Sequence, residues 1–416
     1  LWFDQNGQPL EAVTHALATG DQDFAAEQIE THALESIQAG EIRRVRAWLN
    51  ALPAGILAQR PVLLVAQAWT SARTPTVDTA AELLAQAEEA LSDVSLAGAP
   101  LDADVRQQVS SQIAVLQVVI ARVRGEPTLR QQEKALAALD QVGTSGDAAA
   151  EATLYLRLGF CYLDLGLDQE ADRIFSRSYT TGRSSANFYA AHGAAYGRMV
   201  IARRHGQLNE LDLICRQVVA DLGGSEDGDR PTTGLALIMQ GWLAYEWDQL
   251  DRAEDLLTRG LALAEGVGIV EILVKGQEAL ACVRLVQGGM AAAPDLRAIA
   301  RDGHPALRAF AAALNARLNL LLANRVAELK AGDAAIRWAR TQVLTLRHTS
   351  SYDWEIFGAL VYARVQCWEY NRNPSEDGAA HLAAILEFIS GQYPRLEDLG
   401  WVGVLVEVEI TRSILH

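Results

Sequence analysis

Cysteine is scarce in this chain of 416 residues: only Cys161, Cys215, Cys282 and Cys367 occur. No two of them stand in a CxxC pair, so a zinc ribbon or a disulfide framework has no starting point. Buried free thiols in a reducing cytoplasm are the simple reading. Aromatic residues make up only 6%, and long alternating runs of Val, Ile and Thr are missing, which argues against a β-sheet protein. Basic residues number 36 against 52 acidic ones, giving a net charge of −16. No run of five basic residues exists, so the electrostatic footprint of a duplex nucleic-acid binder is absent. The densest basic stretch, Ile42–Arg46 (IRRVR), reads as the solvated side of an amphipathic helix. Neither a secretory leader nor an apolar run of membrane-spanning length is found, and the expected location is cytoplasmic with no membrane partner. The first residue is Leu1, not Met, so a fragment of a longer protein is expected.

Recognisable catalytic chemistry is also missing. The histidines His15, His32, His192, His205, His304, His348, His381 and His416 are scattered, with no HExxH and no pair at helical spacing. No GxSxG elbow and no GxxxxGK[ST] phosphate loop occurs, so ATP is not bound by that means. Acid pairs such as Glu88/Glu89 and Glu407/Glu409 read as solvated helix residues. The expectation is a chain without enzyme activity and without a cofactor of its own.

What is present is helix after helix. In Gly241–Glu265 (GWLAYEWDQLDRAEDLLTRGLALAE) apolar and small residues recur on one face at Leu250, Ala253, Leu257, Gly260, Leu261 and Ala264. Leu158-Gly159-Phe160-Cys161-Tyr162 is followed by Gly166, Ala171, Phe175 and Ser178. That order of small, aromatic and turn residues fits the tetratricopeptide motif at every position. Its logic is packing: small residues let two helices approach, and aromatics fill the space between them. Weaker copies follow, with turn residues at Gly166, Gly206, Asp248, Gly288 and Gly332, spaced 40 to 44 residues apart by position. The standard unit is about 34 residues, so longer helices or loops are expected, and the turn-rich run Gly223–Pro231 is one visible insertion.

Further pairs read as Pro61–Arg73 with Val77–Leu91, Asp102–Arg124 with Thr128–Val142, and Tyr352–Tyr370 with Glu376–Tyr393, closed by Leu396–Ile414. Pro9–Ala51 holds shorter helices punctuated by Gly20, Gly40 and Pro53. Pro294 interrupts what should be a second helix, and Ala309–Leu329 is longer than a usual first helix. The expected fold is all-α, a right-handed superhelix of tetratricopeptide-like helix pairs. Residues 1–60 form a short-helix region joining it, and residues 61–416 the superhelical domain. No such helix can bury its apolar face alone, whereas stacked pairs share one core.

Four stretches carry a resemblance to a family. LWFDQNGQPLEAVTHALATGD, AGEIRRVRAWLNALPAGILAQRPVLLVAQAW, YEWDQLDRAEDLLTRGLALAE and QYPRLEDLGWVGVLVEVEITRSILH resemble, in that order, segments of the large ATP-binding LuxR-family, MalT-like transcriptional regulators. The resemblance implies a helical sensor region that responds to a small-molecule inducer or a regulatory protein and controls ATP-driven oligomerisation. ATP and DNA contacts would belong to flanking modules absent from this chain, with no direct nucleic-acid contact here. A rival reading is a scaffold that holds a peptide or partner protein.

In a tetratricopeptide array the first helices line the inner surface. Counting back from each turn residue selects Trp242, Tyr245 and Glu246 in one unit, Tyr196, Arg203 and Arg204 in another, Phe160 in a third, and Lys275 with Glu278 in a fourth. Trp242, Tyr245 and Glu246 share a helical face. Trp and Tyr offer a flat apolar body with a hydrogen-bonding handle, suited to sugars or aromatic ligands. Arg203 suits an acidic or phosphorylated group. Packing is the competing role for Trp242 and Tyr196. A solvated basic edge is the competing role for Arg203, Arg204 and His205, and a wedge between helices is expected of Trp247.

Overall fold

The computed structural model describes residues 8–72, 76–92, 102–221, 230–267, 270–288, 294–301, 303, 305–325, 329–342 and 353–415. The described residues form α-helices, one short 3-10 turn at Pro231–Thr233 and no strand. The first helices are α1 (Pro9–Ala18), α2 (Gln22–Gln38), α3 (Ile42–Asn50), α4 (Ala54–Leu57), α5 (Pro61–Ser71), α6 (Val77–Ser92), α7 (Ala103–Val123) and α8 (Thr128–Gly143). The centre holds α9 (Ala148–Asp164), α10 (Asp168–Ser184), α11 (Phe188–Arg204), α12 (Leu208–Ala220), α13 (Gly234–Glu246) and α14 (Leu250–Val267). The remainder is α15 (Val270–Val286), α16 (Leu296–Ile299), α17 (Pro305–Arg325), α18 (Leu329–Arg340), α19 (Asp353–Arg372), α20 (Glu376–Asp398) and α21 (Val402–Leu415). Most of the run Gly223–Pro231, the first seven residues, and His304, His348 and His416 lie outside the described residues.

The repeat has a backbone signature. Gly125, Gly146, Gly166, Ala186 and Gly206 all have positive φ and fall 20 or 21 residues apart, so successive helices end on a left-handed residue. Asp248 and Gly288 continue the series at φ +58 and +78. Gly332 does not. It lies within α18, and a Cβ there would sit 2.0 Å from the Trp368 ring. Its smallness serves helix contact rather than a turn.

The chain divides into two compact units. The first comprises Leu1–Leu163, Gln169–Gly197 and Glu226–Thr232; the second comprises Asp164–Asp168, Arg198–Ser225 and Thr233–His416.

In the first unit, α1 to α9 share one apolar cluster running from Val13 to Leu158. The IRRVR helix divides as its pattern predicts: Ile42 and Val45 are buried, Arg43 and Arg46 exposed. The tetratricopeptide positions pack as their chemistry requires. Phe175 is fully buried, and a Cβ on Gly159 would meet its ring at 2.5 Å, one on Gly197 at 2.4 Å. One ring therefore fills the space that glycines on α9 and α11 leave open. Ser178 Oγ donates to the Ala152 carbonyl at 2.8 Å, tying the pair together with no side chain to spare. His192 is buried, with Nδ1 2.8 Å from Thr232 Oγ1. Burial pushes its pKa down to about 3, assisted by Arg230 and Arg183.

In the second unit, α13 lies close on α14 through Gly241, where a Cβ would meet Leu257 at 2.6 Å, and Gly260, where one would meet the Ile238 backbone at 2.9 Å. α13 also packs on α15, α15 on α17, α17 on α19 and α19 on α21, so the first helices of successive pairs form a row. Pro294 has the expected effect: the partner of α15 shrinks to the four residues of α16. α17 is long, with 21 residues. The last two helices differ from their expected bounds. α20 continues through Pro394 to Asp398 and the break comes at Gly400, with φ +66.

Removing the Phe175 ring should cost about 3–5 kcal/mol. Phe175→Ala is expected to lower the urea midpoint strongly, and Gly159→Val to do no better, because its branched side chain claims the same space. His192 stays neutral when folded and takes a proton when unfolded, so its contribution is full above pH 6.5 and is lost as pH falls toward 3. Urea titrations of His192→Gln between pH 4 and 6.5 should show a shallower pH slope, by up to about 1.4 kcal/mol per pH unit.

Candidate functional site

The row of first helices in the second unit presents a continuous band of polar and aromatic side chains. α13 contributes Trp242, Tyr245 and Glu246. Gly234 and Gly241 of the same helix hold it close to α14. Trp242 and Tyr245 are half-buried and Glu246 is exposed. From the end of α11, the Arg203 guanidinium lies 5.8 Å from the Trp242 ring centroid, a cation–π contact worth about 0.5–1 kcal/mol at a partly exposed site.

Next in the row, Arg317 of α17 donates to Glu278 Oε1 of α15, and Cys282 Sγ donates to the same oxygen at 3.4 Å. Glu278 holds the Arg317 pKa above its ordinary value against the opposing effect of burial. Burial, reinforced by Glu278, pushes the Cys282 thiol up, which keeps it protonated and poorly nucleophilic. The Phe310 and Phe357 rings meet edge to face at 5.5 Å, with Lys275 Nζ 5.7 Å from Phe310 and Arg317 6.0 Å from Phe357. At the end of the row, Arg364 of α19 donates to Glu407 Oε2 at 2.8 Å and to Thr411 Oγ1 at 2.9 Å, both on α21.

Although Glu246 keeps an exposed side, the part of it packed against the row has its pKa raised, first by that burial and then by Glu407, opposed by Arg317 and Arg203. The Tyr245 hydroxyl is likewise pushed up, chiefly by burial. The band therefore couples a flat aromatic wall to closely interleaved charges of both signs. That arrangement suits a ligand with an apolar face and polar edges.

Of the six residues singled out from sequence, Arg203, Trp242, Tyr245 and Glu246 come together here. Phe160 lies in the first unit, half-buried, 5.1 Å from Phe175 and under the Arg122 guanidinium. Tyr196 is 3% exposed, buried with its neighbours Ala194 and Ala195 on α11, and so packs rather than lining a surface. Trp247 is 39% exposed rather than wedged, since α13 ends at Glu246 and the chain turns away through Asp248. Arg204 does not sit on a solvated edge: it is 4% exposed and bonded to Asp168. Glu407 keeps a side chain 43% exposed, as expected of a solvated helix residue, and also pairs with Arg364. Arg317, Phe357 and Arg364 went unselected, and no signal near them in sequence marks them, because their partners lie about 40 residues away.

The fold so described is that of an all-helical protein of tetratricopeptide-like helix pairs. No family model matches the chain. Among curated proteins it is similar to the HTH-type transcriptional regulator MalT of Yersinia pestis (strain Pestoides F), 31% identical over 121 residues, 29% of this chain and 13% of that protein. It is also similar to MalT of Yersinia enterocolitica serotype O:8, 24% identical over 303 residues, 67% of this chain and 29% of that protein. The chain thus matches less than a third of the length of either relative. Among solved structures, the apo form of the quorum sensor NprR from B. thuringiensis superposes with a TM-score of 0.50 at 13% identity, covering 94% of this chain and 100% of that one; this likeness shows the fold alone. The resemblance read from the residues to the helical sensor region of MalT-like regulators stands, supported by the sequence similarity to the two MalT proteins. No described helix is long and apolar enough to cross a membrane.

Glu278 is 10% exposed at its side chain, so removing its partner strands a buried carboxylate. Arg317→Met should destabilise the chain by about 3 kcal/mol, and Glu278→Leu added to it should recover part of the loss in the same thermal melts.

Proposed function

We propose that this chain is the effector-sensing region of a MalT-like, ATP-dependent transcriptional regulator, and that it is not itself an enzyme. Its effector is a small-molecule inducer, bound on the row formed by α13, α15, α17, α19 and α21. The observation that carries this reading is the meeting of Arg203, Trp242, Tyr245 and Glu246, from two helices, beside the Arg317–Glu278 pair. Trp242 and Tyr245 are only half-buried, so they retain surface for stacking. Interleaved charges supply orientation at little net charge. ATP and DNA contacts belong to flanking modules of the whole regulator, in the cytoplasm, and this chain touches neither nucleic acid nor membrane. Regulation then follows as a population shift, in which the bound effector favours one arrangement of the helices by a few kcal/mol of differential affinity.

The test is a thermal-shift screen of the purified chain against glucose oligosaccharides, amines and aromatic acids at millimolar concentration. At least one class should raise the melting temperature. Trp242→Ala/Tyr245→Ala should keep the far-UV helical signal and lose that shift. A peptide library that stabilises the chain where every small molecule fails would replace the inducer with a peptide partner. Unfolding of the double variant would make the two aromatics core.

A further inference from the structure

The second unit contains a polar lock that a linear array of helix pairs has no reason to build. Asp168, the first residue of α10, is 7% exposed. Its carboxylate accepts from Arg204 Nη1 at 3.1 Å and from the Trp401 indole Nε1–H at 2.8 Å, and His205 Nε2 lies 3.0 Å from it. Trp401 is 1% exposed, and the Arg204 guanidinium lies 4.5 Å from its ring centroid. Asp168 and Trp401 are 233 residues apart in the chain. A buried carboxylate, a buried guanidinium and an indole satisfying one another at that separation define a specific closure.

The backbone around the lock is shaped for the same contact. Gly400 takes φ +66, and α21 starts two residues later. A Cβ on Gly403 would lie 2.4 Å from the Arg203 carbonyl oxygen and 3.2 Å from that of Arg204. Only glycine lets the first turn of α21 rest on the last turn of α11. There the amide end of one helix meets the carbonyl end of the other, a favourable pairing of opposite partial charges. Val402 packs beside Gly206, its Cβ 3.6 Å from where a Cβ on Gly206 would stand.

This docking reaches the band described above. Arg203 holds Gly403 through its backbone while its side chain lies over Trp242. One turn further along α21, Glu407 accepts from Arg364 of α19 at 2.8 Å, so the later turns of the helix are held to the row as well. We infer that α21 is a strap: its first turn is locked onto the end of α11 by the Asp168–Arg204–Trp401 clasp, and when the clasp opens it loosens about Gly400, giving up the Arg364 bonds to Glu407 and Thr411, while α19 and α20 stay folded. The inference rests on the geometry of the clasp, not on which ligand the row takes.

Hydrogen–deuterium exchange of the whole chain tests it. Trp401→Phe keeps the ring under Arg204 and removes only the donor. Gly403→Val leaves the clasp side chains intact and blocks the seat. Both should raise exchange across residues 402–415 by on the order of tenfold to a hundredfold, the range for losing a hydrogen bond to a charged group, with residues 376–392 unchanged. Gly206→Cys/Val402→Cys places two β-carbons at disulfide distance. Oxidised, this variant should protect residues 402–415 beyond the wild type, and a reductant should reverse the gain. The strap is overturned if exchange at 402–415 does not move in either single variant. It is equally overturned if α19 and α20 open together with α21, which makes the contact a structural pillar, or if the disulfide does not form in a chain that folds.

Discussion

Everything in this chain depends on how closely one helix can approach the next. Each helix has one apolar face and no means to bury it alone. Where a glycine faces an aromatic ring or a neighbouring backbone, the axes draw together and that face leaves water. Phe175 between Gly159 and Gly197 is the clearest case, and Gly241 with Gly260 between α13 and α14 is the same device in the second unit. At about 1.5–3 kcal/mol for each large apolar side chain buried, a few missed contacts of this kind exceed the stability of a whole domain.

Close approach also creates the inner row. When α13, α15, α17, α19 and α21 become neighbours, side chains that are remote in sequence must share one surface. Charges there cannot remain independent. Glu278 takes Arg317, Glu407 takes Arg364, and Glu246 is left between an aromatic wall and a second acid. The polar character of the band arises from the same packing. Arg203 joins α21 to the band: its carbonyl lies against Gly403 and its guanidinium near Trp242.

Periodicity and the tetratricopeptide positions were legible residue by residue, because helix formation and pair packing act over fewer than about 40 residues. The helices of Pro61–Arg73, Val77–Leu91, Asp102–Arg124 and Thr128–Val142 stand nearly where their patterns end. Errors came where one residue type serves two purposes. Gly332 looked like a turn and is a packing glycine. The helix expected to end at Tyr393 instead runs through Pro394 to Asp398. The site was half legible: Trp242, Tyr245 and Glu246 share a face by simple helical geometry, and Arg203 sits at the homologous inward position of its own unit. Tyr196 obeyed the same count and is buried all the same, since burial depends on what the neighbouring helices carry.

The amino-acid sequence by itself determined that the chain is helical, that its helices come in pairs, and that α13 presents two aromatics and an acid together. Those are short-range matters of period, side-chain size and turn chemistry. Only the tertiary structure decided that Arg204 would be buried against Asp168, that Trp401 would return across 233 residues to the same carboxylate, and that Glu407 would meet Arg364. Such pairings carry no local pattern. They exist because desolvated charges must find partners, and which partners lie within reach is set by the stacking of the helices.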